Sequence, residues 1–155
     1  MDANLNATLG MIGAAAVQGL AAVGSGLGSG AAGMAACGAW KRCYARDRAA
    51  PFLLTVFIGA PLTQTIYGFI LMRKFAALAA GAAAIGITNC ASLMGAGVFG
   101  GLAIGVSAWM QGVTGAAAAD AMGETGKGFG NYMVALGMTE SVALFVLVFM
   151  LITVK

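Results

Sequence analysis

Apolar residues in this chain come in four long runs, not in the spaced stripes of a water-soluble helix. Phe52 to Met72 and Phe129 to Val154 continue almost without charge for about 20 residues or more, the length that crosses a bilayer. The first run, from about Leu9 to Ala39, and the third, from about Ala82 to Ala119, are longer still. A helix in water needs only one apolar face, so continuous runs of this length predict helices immersed in lipid. They are not the ten-residue alternating segments of a membrane barrel, and a helix satisfies its own backbone in lipid. The pattern predicts an all-α membrane protein with four transmembrane helices, at about 9–39, 52–73, 82–119 and 129–154.

Composition agrees. A chain of 155 residues that is 61% hydrophobic and 8% charged has too little polar surface to cover a soluble globule. Its mean hydropathy is +0.93. Met1-Asp2-Ala3-Asn4 lacks the basic start of a cleavable signal, so the first helix is expected to be retained. Cys37, Cys43 and Cys90 show neither a CxxC spacing nor histidine companions, which favours packing over metal or redox roles. The net charge of +3 does not indicate a nucleic-acid partner, because the basic residues flank membrane spans, where they orient the chain. Lys41, Arg42, Arg46 and Arg48 stand between helices 1 and 2, and Lys127 between helices 3 and 4. Arg73 and Lys74, read as a middle loop, are outnumbered, so loops 40–51 and 120–128 are expected in the cytoplasm and both termini outside.

The chain also repeats itself. Gly19-Leu20-Ala21-Ala22 through Ser25, Gly30 and Gly33 to Ala39 overlays Gly101-Leu102-Ala103-Ile104 through Ser107, Gly112 and Gly115 to Ala121 without a gap. Leu62-Thr63-Gln64 likewise overlays Met138-Thr139-Glu140. Two tandem helical hairpins follow, 1–75 and 76–155, and hairpins that repeat within a chain commonly repeat between chains as well. The first copy carries neutral Gln64 where the second carries Glu140, which leaves one carboxylate per two hairpins.

Gly28 to Gly33 formally matches the GxGxxG dinucleotide fingerprint, but it lies inside an apolar span with no preceding strand. In lipid, small residues four apart let backbones approach, so Gly24 with Gly28 and Gly26 with Gly30 describe a tight packing face.

The candidate chemistry sits at mid-membrane. Glu140 lies about eleven residues past Phe129, roughly 16 Å, near the middle of a core about 30 Å thick. Gln64 and Gln111 fall at similar depth when the helices pack antiparallel, and Tyr67 shares a helix face with Gln64, flanked by Thr63. Pro61 removes an amide that would bond the carbonyl of Phe57, which is expected to loosen carbonyls around Gly59 and Ala60. Interhelical hydrogen bonding accounts for each glutamine or threonine taken singly. Glu140 is different: at mid-membrane an acid is costly unless protonated, paired or ion-bound, and no basic partner is expected inside the spans. Either a proton or a hard cation with oxygen ligands would neutralise it. Carboxylate, amide, hydroxyl and carbonyl oxygens together exceed what a proton requires, so Na⁺ is expected, with H⁺ as the alternative and no organic cofactor.

Pro61-Leu62-Thr63-Gln64-Thr65-Ile66-Tyr67-Gly68-Phe69, Gln111-Gly112 and Thr139-Glu140 resemble the duplicated four-helix proteolipid, of the K or c type, in the rotor ring of V-type ATPases, especially the bacterial Na⁺-translocating form. The resemblance extends over essentially the whole chain. It implies that Glu140, Gln64, Gln111, the Thr63 hydroxyl and the Ala60 carbonyl bind Na⁺, and that Tyr67 closes the site. It also implies a non-catalytic subunit among identical copies in a ring, turning in lipid against a stator subunit with an arginine and joined to a central stalk. Two rivals of other classes are a small four-helix drug transporter and a purely structural proteolipid.

Overall fold

The computed structural model describes residues 3–85 and 90–154; Met1 and Asp2 of the amino-terminal reading, residues 86–89 of the expected third span, and Lys155 lie outside them. Without water to compete for backbone groups, each apolar run winds into a helix. α1 spans Ala3–Ala45. The second span is built from α2 (Leu54–Gly59), one 3₁₀ turn (Ala60–Leu62) and α3 (Thr63–Ile85). α4 (Ala91–Thr125) and α5 (Phe129–Thr153) follow, and the described residues contain no strand. Four of these stretches are long and apolar enough to cross a membrane, so this is a multi-pass, all-helical membrane protein.

The boundaries correct four expectations. The second span runs to Ile85, well past 73, so Arg73 and Lys74 are helical and not in a loop. Their long stems let the charges reach polar groups without ending an alanine-rich helix. The third span begins at Ala91, since 82–85 belong to α3, and the hairpin boundary expected at 75 falls inside that helix. Lys41 and Arg42 lie in the last turns of α1, leaving Arg46 and Arg48 in the connection to α2.

Glycine decides how the spans pack. α1 and α4 run against each other with Gly24 on Gly105 and Gly28 on Gly112; a β-carbon built on Gly112 would stand 2.1 Å from the Cα of Gly28. Backbones that close exclude any side chain at the crossing. Gly26 and Gly30, expected in the same kind of contact, meet nothing within 4 Å, because they lie on the other side of α1. One apolar cluster joins Val17, Leu71, Phe75, Ile104 and Leu147; a second joins Leu54, Phe57, Ala119 and Leu136. At the end where α1 meets α2, Arg42 pairs with Asp120 and Glu124, and the Arg48 guanidinium donates to the Glu124 carbonyl. Gly126 and Gly128, both at positive φ, turn α4 into α5 at that same end. α5 lies at the edge, with Leu136, Ala143 and Leu147 as its buried residues.

Candidate functional site

Pro61 sets the local geometry of the first hairpin. With no N–H at Pro61, the helix tightens into a 3₁₀ turn in which the Thr63 N–H bonds the Ala60 carbonyl. The Thr63 hydroxyl donates to the same carbonyl at 3.0 Å. The expected loosening thus takes the form of a tightened turn, and the Ala60 carbonyl is engaged by Thr63 instead of left free.

From that turn Thr63 faces α5. Its Oγ1 lies 2.8 Å from Glu140 Oε1 and 3.1 Å from Gln64 Oε1. One helical turn later Tyr67 donates its hydroxyl to the same Glu140 oxygen at 2.6 Å. Gln64 is fully buried and sends Nε2 to Gln111 Oε1 at 2.8 Å. Gln111, buried on α4, directs Nε2 to Glu140 Oε2 at 3.2 Å and to the Leu136 carbonyl at 3.1 Å. Every side chain singled out in the sequence therefore meets in one cluster made by α3, α4 and α5, with the carbonyl of Ala60 beside Thr63.

Two details go beyond what the pattern predicted. Gln111 presents its amide nitrogen to the acid, and its oxygen is taken by Gln64. Glu140 is half-buried within the chain, whereas both glutamines are enclosed. Its carboxylate accepts two hydroxyls and one amide, and none of the salt bridges of the described residues involves it. Depth in the membrane, not enclosure by the fold, is what isolates this acid. A half-covered carboxylate ringed by neutral donors and oxygens can hold a small cation or a proton and still be approached from the side.

Leu136 and Ser107 were missed. The Leu136 carbonyl receives both Gln111 Nε2 and the Thr139 hydroxyl, and Ser107 Oγ donates to the Thr139 carbonyl at 2.7 Å. The overlay that pairs Gln64 with Glu140 also pairs Ala60 with Leu136, so the repeat carried the signal for that carbonyl.

Residues 94–153 match the family model of the ATP synthase C-subunit. The matched stretch takes in nearly all of α4 and α5, and with them Gln111 and Glu140; Thr63, Gln64 and Tyr67 lie outside it. No curated protein sequence matches the chain.

Proposed function

We propose that this protein is the ion-carrying subunit of the membrane rotor ring of a V-type ATPase or ATP synthase, holding one Na⁺ at Glu140 and coupling its movement to rotation. The observation that carries the reading is the convergence of Thr63, Tyr67 and Gln111 on a single carboxylate at the middle of the spans, with Gln64 bonded to Thr63 and Gln111 behind them. The likeness of the second hairpin to the ATP synthase C-subunit supports it from an independent direction.

In this reading Glu140, Gln64 Oε1, the Thr63 hydroxyl oxygen and the Ala60 carbonyl ligate Na⁺; Gln111 joins them once its amide turns over, and Tyr67 closes the site. A bound cation neutralises Glu140 for its passage through lipid. An arginine on a stator subunit displaces the ion when the site arrives. Each charge crossing 100 mV exchanges about 2.3 kcal/mol with the membrane potential, which becomes torque. The subunit itself catalyses nothing. Its basic end, residues 40–51 and 120–128 with the last turns of α1 and α4 included, lies in the cytoplasm facing the central stalk, with both termini outside.

Ring assembly follows the internal repeat. The α4 face that α1 covers, including Ala108 and Gly112, corresponds to Gly26 and Gly30 on α1, which are open. The α1 face seated on α4, Gly24 and Gly28, corresponds to Val106 and Met110, exposed on α4 and lining an apolar groove of about 480 Å³ beside Thr139. Open glycines on one copy thus offer room for the protruding side chains of the next, a head-to-tail contact that closes into a ring.

Carbodiimide labelling of Glu140 in membranes at alkaline pH tests the cation. Na⁺ should slow the labelling while K⁺ at equal ionic strength should not; equal labelling with and without Na⁺ sinks the Na⁺ assignment. The same rotor carrying H⁺ is the second reading, favoured by one observation: Thr63 Oγ1, 2.8 Å from Glu140 Oε1, can accept the proton of a protonated Glu140 while its own hydroxyl turns to the Ala60 carbonyl.

A further inference from the structure

One polar tether between the hairpins is unused by that reading. Lys74 stands about two turns beyond Tyr67 on the same side of α3. Its ammonium donates to the main-chain carbonyl of Leu151 in the last turn of α5. Leu151 in turn lies about three turns beyond Glu140, on the same face of α5. The two helices are therefore joined at two levels, by the Tyr67 hydroxyl on Glu140 and by Lys74 on Leu151, with Leu71, Phe75, Ala143 and Leu147 in the apolar cluster between them.

α5 has Leu136, Ala143 and Leu147 as its buried residues and otherwise shows apolar side chains such as Phe145, Val148, Phe149 and Ile152 to the outside. The last carbonyls of a helix lack the amides of a following turn, and a cation at a helix carboxyl end is favoured both as a donor and against the helix dipole. The neighbouring cation, Arg73, is exposed on α3.

We infer that Lys74 is a positioning residue for the ion site. It holds the carboxyl end of α5 on α3, and so keeps Glu140 within reach of the Tyr67 hydroxyl. Without that tether the end of α5 moves away from α3 and the carboxylate is uncovered more often. The inference rests on Glu140 as the ion-carrying group, and it holds for either cation.

The test is the rate of carbodiimide labelling of Glu140 in membranes holding the full chain, measured at one pH with no Na⁺ added. Lys74→Met, which keeps the stem and removes the donor, should label about two- to fivefold faster than wild type. Lys74→Arg, which restores a cationic donor, should label at the wild-type rate. Added Na⁺ should protect Lys74→Met only at concentrations raised by a similar factor. Should Lys74→Met fail to accumulate, Lys74→Gln, whose shorter amide stops short of Leu151, takes its place. Wild-type labelling in the Met or Gln variant overturns the inference, and so does an Arg variant that labels as fast as Met. Absence of Na⁺ protection in every form removes the Na⁺ assignment while leaving the uninhibited rates to decide the role of Lys74.

Discussion

The two hairpins are copies of one plan, and they spend their polar groups differently. In the second, Ser107 donates to the Thr139 carbonyl and the Thr139 hydroxyl turns back to Leu136 of its own helix. In the first, the counterparts part company: Ser25 Oγ is buried with no partner among the described residues, and the Thr63 hydroxyl reaches across to Glu140. Pro61 accounts for the difference. Three residues wound at 3.0 instead of 3.6 per turn rotate the rest of the helix by about 60°, and Thr63 meets Glu140 while keeping the bond to the carbonyl three residues back that Thr139 also makes. The counterpart of Pro61, Gly137, sits in unbroken α-helix. The first hairpin has become a donor of hydroxyls and the second the owner of the acid. The two halves of the repeat thus differ by one proline and by the change between Gln64 and Glu140.

Removing the acid breaks this division of labour most completely. Glu140→Gln should abolish carbodiimide labelling and ion-coupled ATPase activity in the assembled complex; retained coupled activity sinks the ion-carrier reading. Exchanging the two positions sharpens the point. Glu140→Gln combined with Gln64→Glu keeps the composition, but position 64 is enclosed while position 140 is half-open and faces the Thr63 and Tyr67 hydroxyls. The exchanged protein should therefore stay inactive, and recovered Na⁺-protected labelling at position 64 would show that the hairpins are interchangeable after all.

The threonines give the next contrast. Thr63→Val removes a hydroxyl bonded to a carboxylate, an interaction of about 1.5–3 kcal/mol, so the Na⁺ concentration that half-protects Glu140 should rise about tenfold or more. Thr139→Val removes a hydroxyl that bonds only carbonyls of its own helix, Ala135 and Leu136, and should leave that concentration nearly unchanged. Equal shifts in the two variants would mean that the crossing of Thr63 to Glu140 is not what holds the ion.

Packing separates the hairpins by a similar margin. Gly112→Ala would force a β-carbon onto the backbone of Gly28 and should destabilise the subunit by about 1–3 kcal/mol, read as a lower unfolding temperature in detergent. Gly26→Ala adds its methyl to space that is open within one subunit and should leave the unfolding temperature of the separated subunit where it was.

Much of this was legible in the amino-acid sequence alone. Uninterrupted apolar runs give spanning helices because lipid leaves the backbone no other partner, and Glu140 stood out because a lone acid in a bilayer needs neutralising. Helix ends were less legible: Arg73 and Lys74 look like a loop in one dimension, and only the nearby α5 carboxyl end shows why a lysine is accommodated there. Gly24 and Gly26 are indistinguishable in a list of small residues, yet they point to opposite sides of α1, and which side meets α4 is fixed by three-dimensional packing. The turning of the Gln111 amide was equally hidden, since it depends on Gln64 claiming its oxygen.

The smallest expected effect isolates the duplication most cleanly. Ser25 and Ser107 are equivalent in the repeat and both are buried, but only Ser107 has a hydrogen-bond partner among the described residues. Ser107→Ala should cost about 0.5–1.5 kcal/mol, because it deletes the bond to the Thr139 carbonyl one residue before Glu140. Ser25→Ala deletes a hydroxyl that is buried and unbonded, so relief from its desolvation should leave stability unchanged or slightly raised. Thermal unfolding of the two variants side by side decides the matter. If Ser25→Ala is as damaging as Ser107→Ala, then the first hairpin satisfies its serine as the second does, and the 3₁₀ turn at Pro61 has not separated the two copies in the way their hydrogen bonds imply.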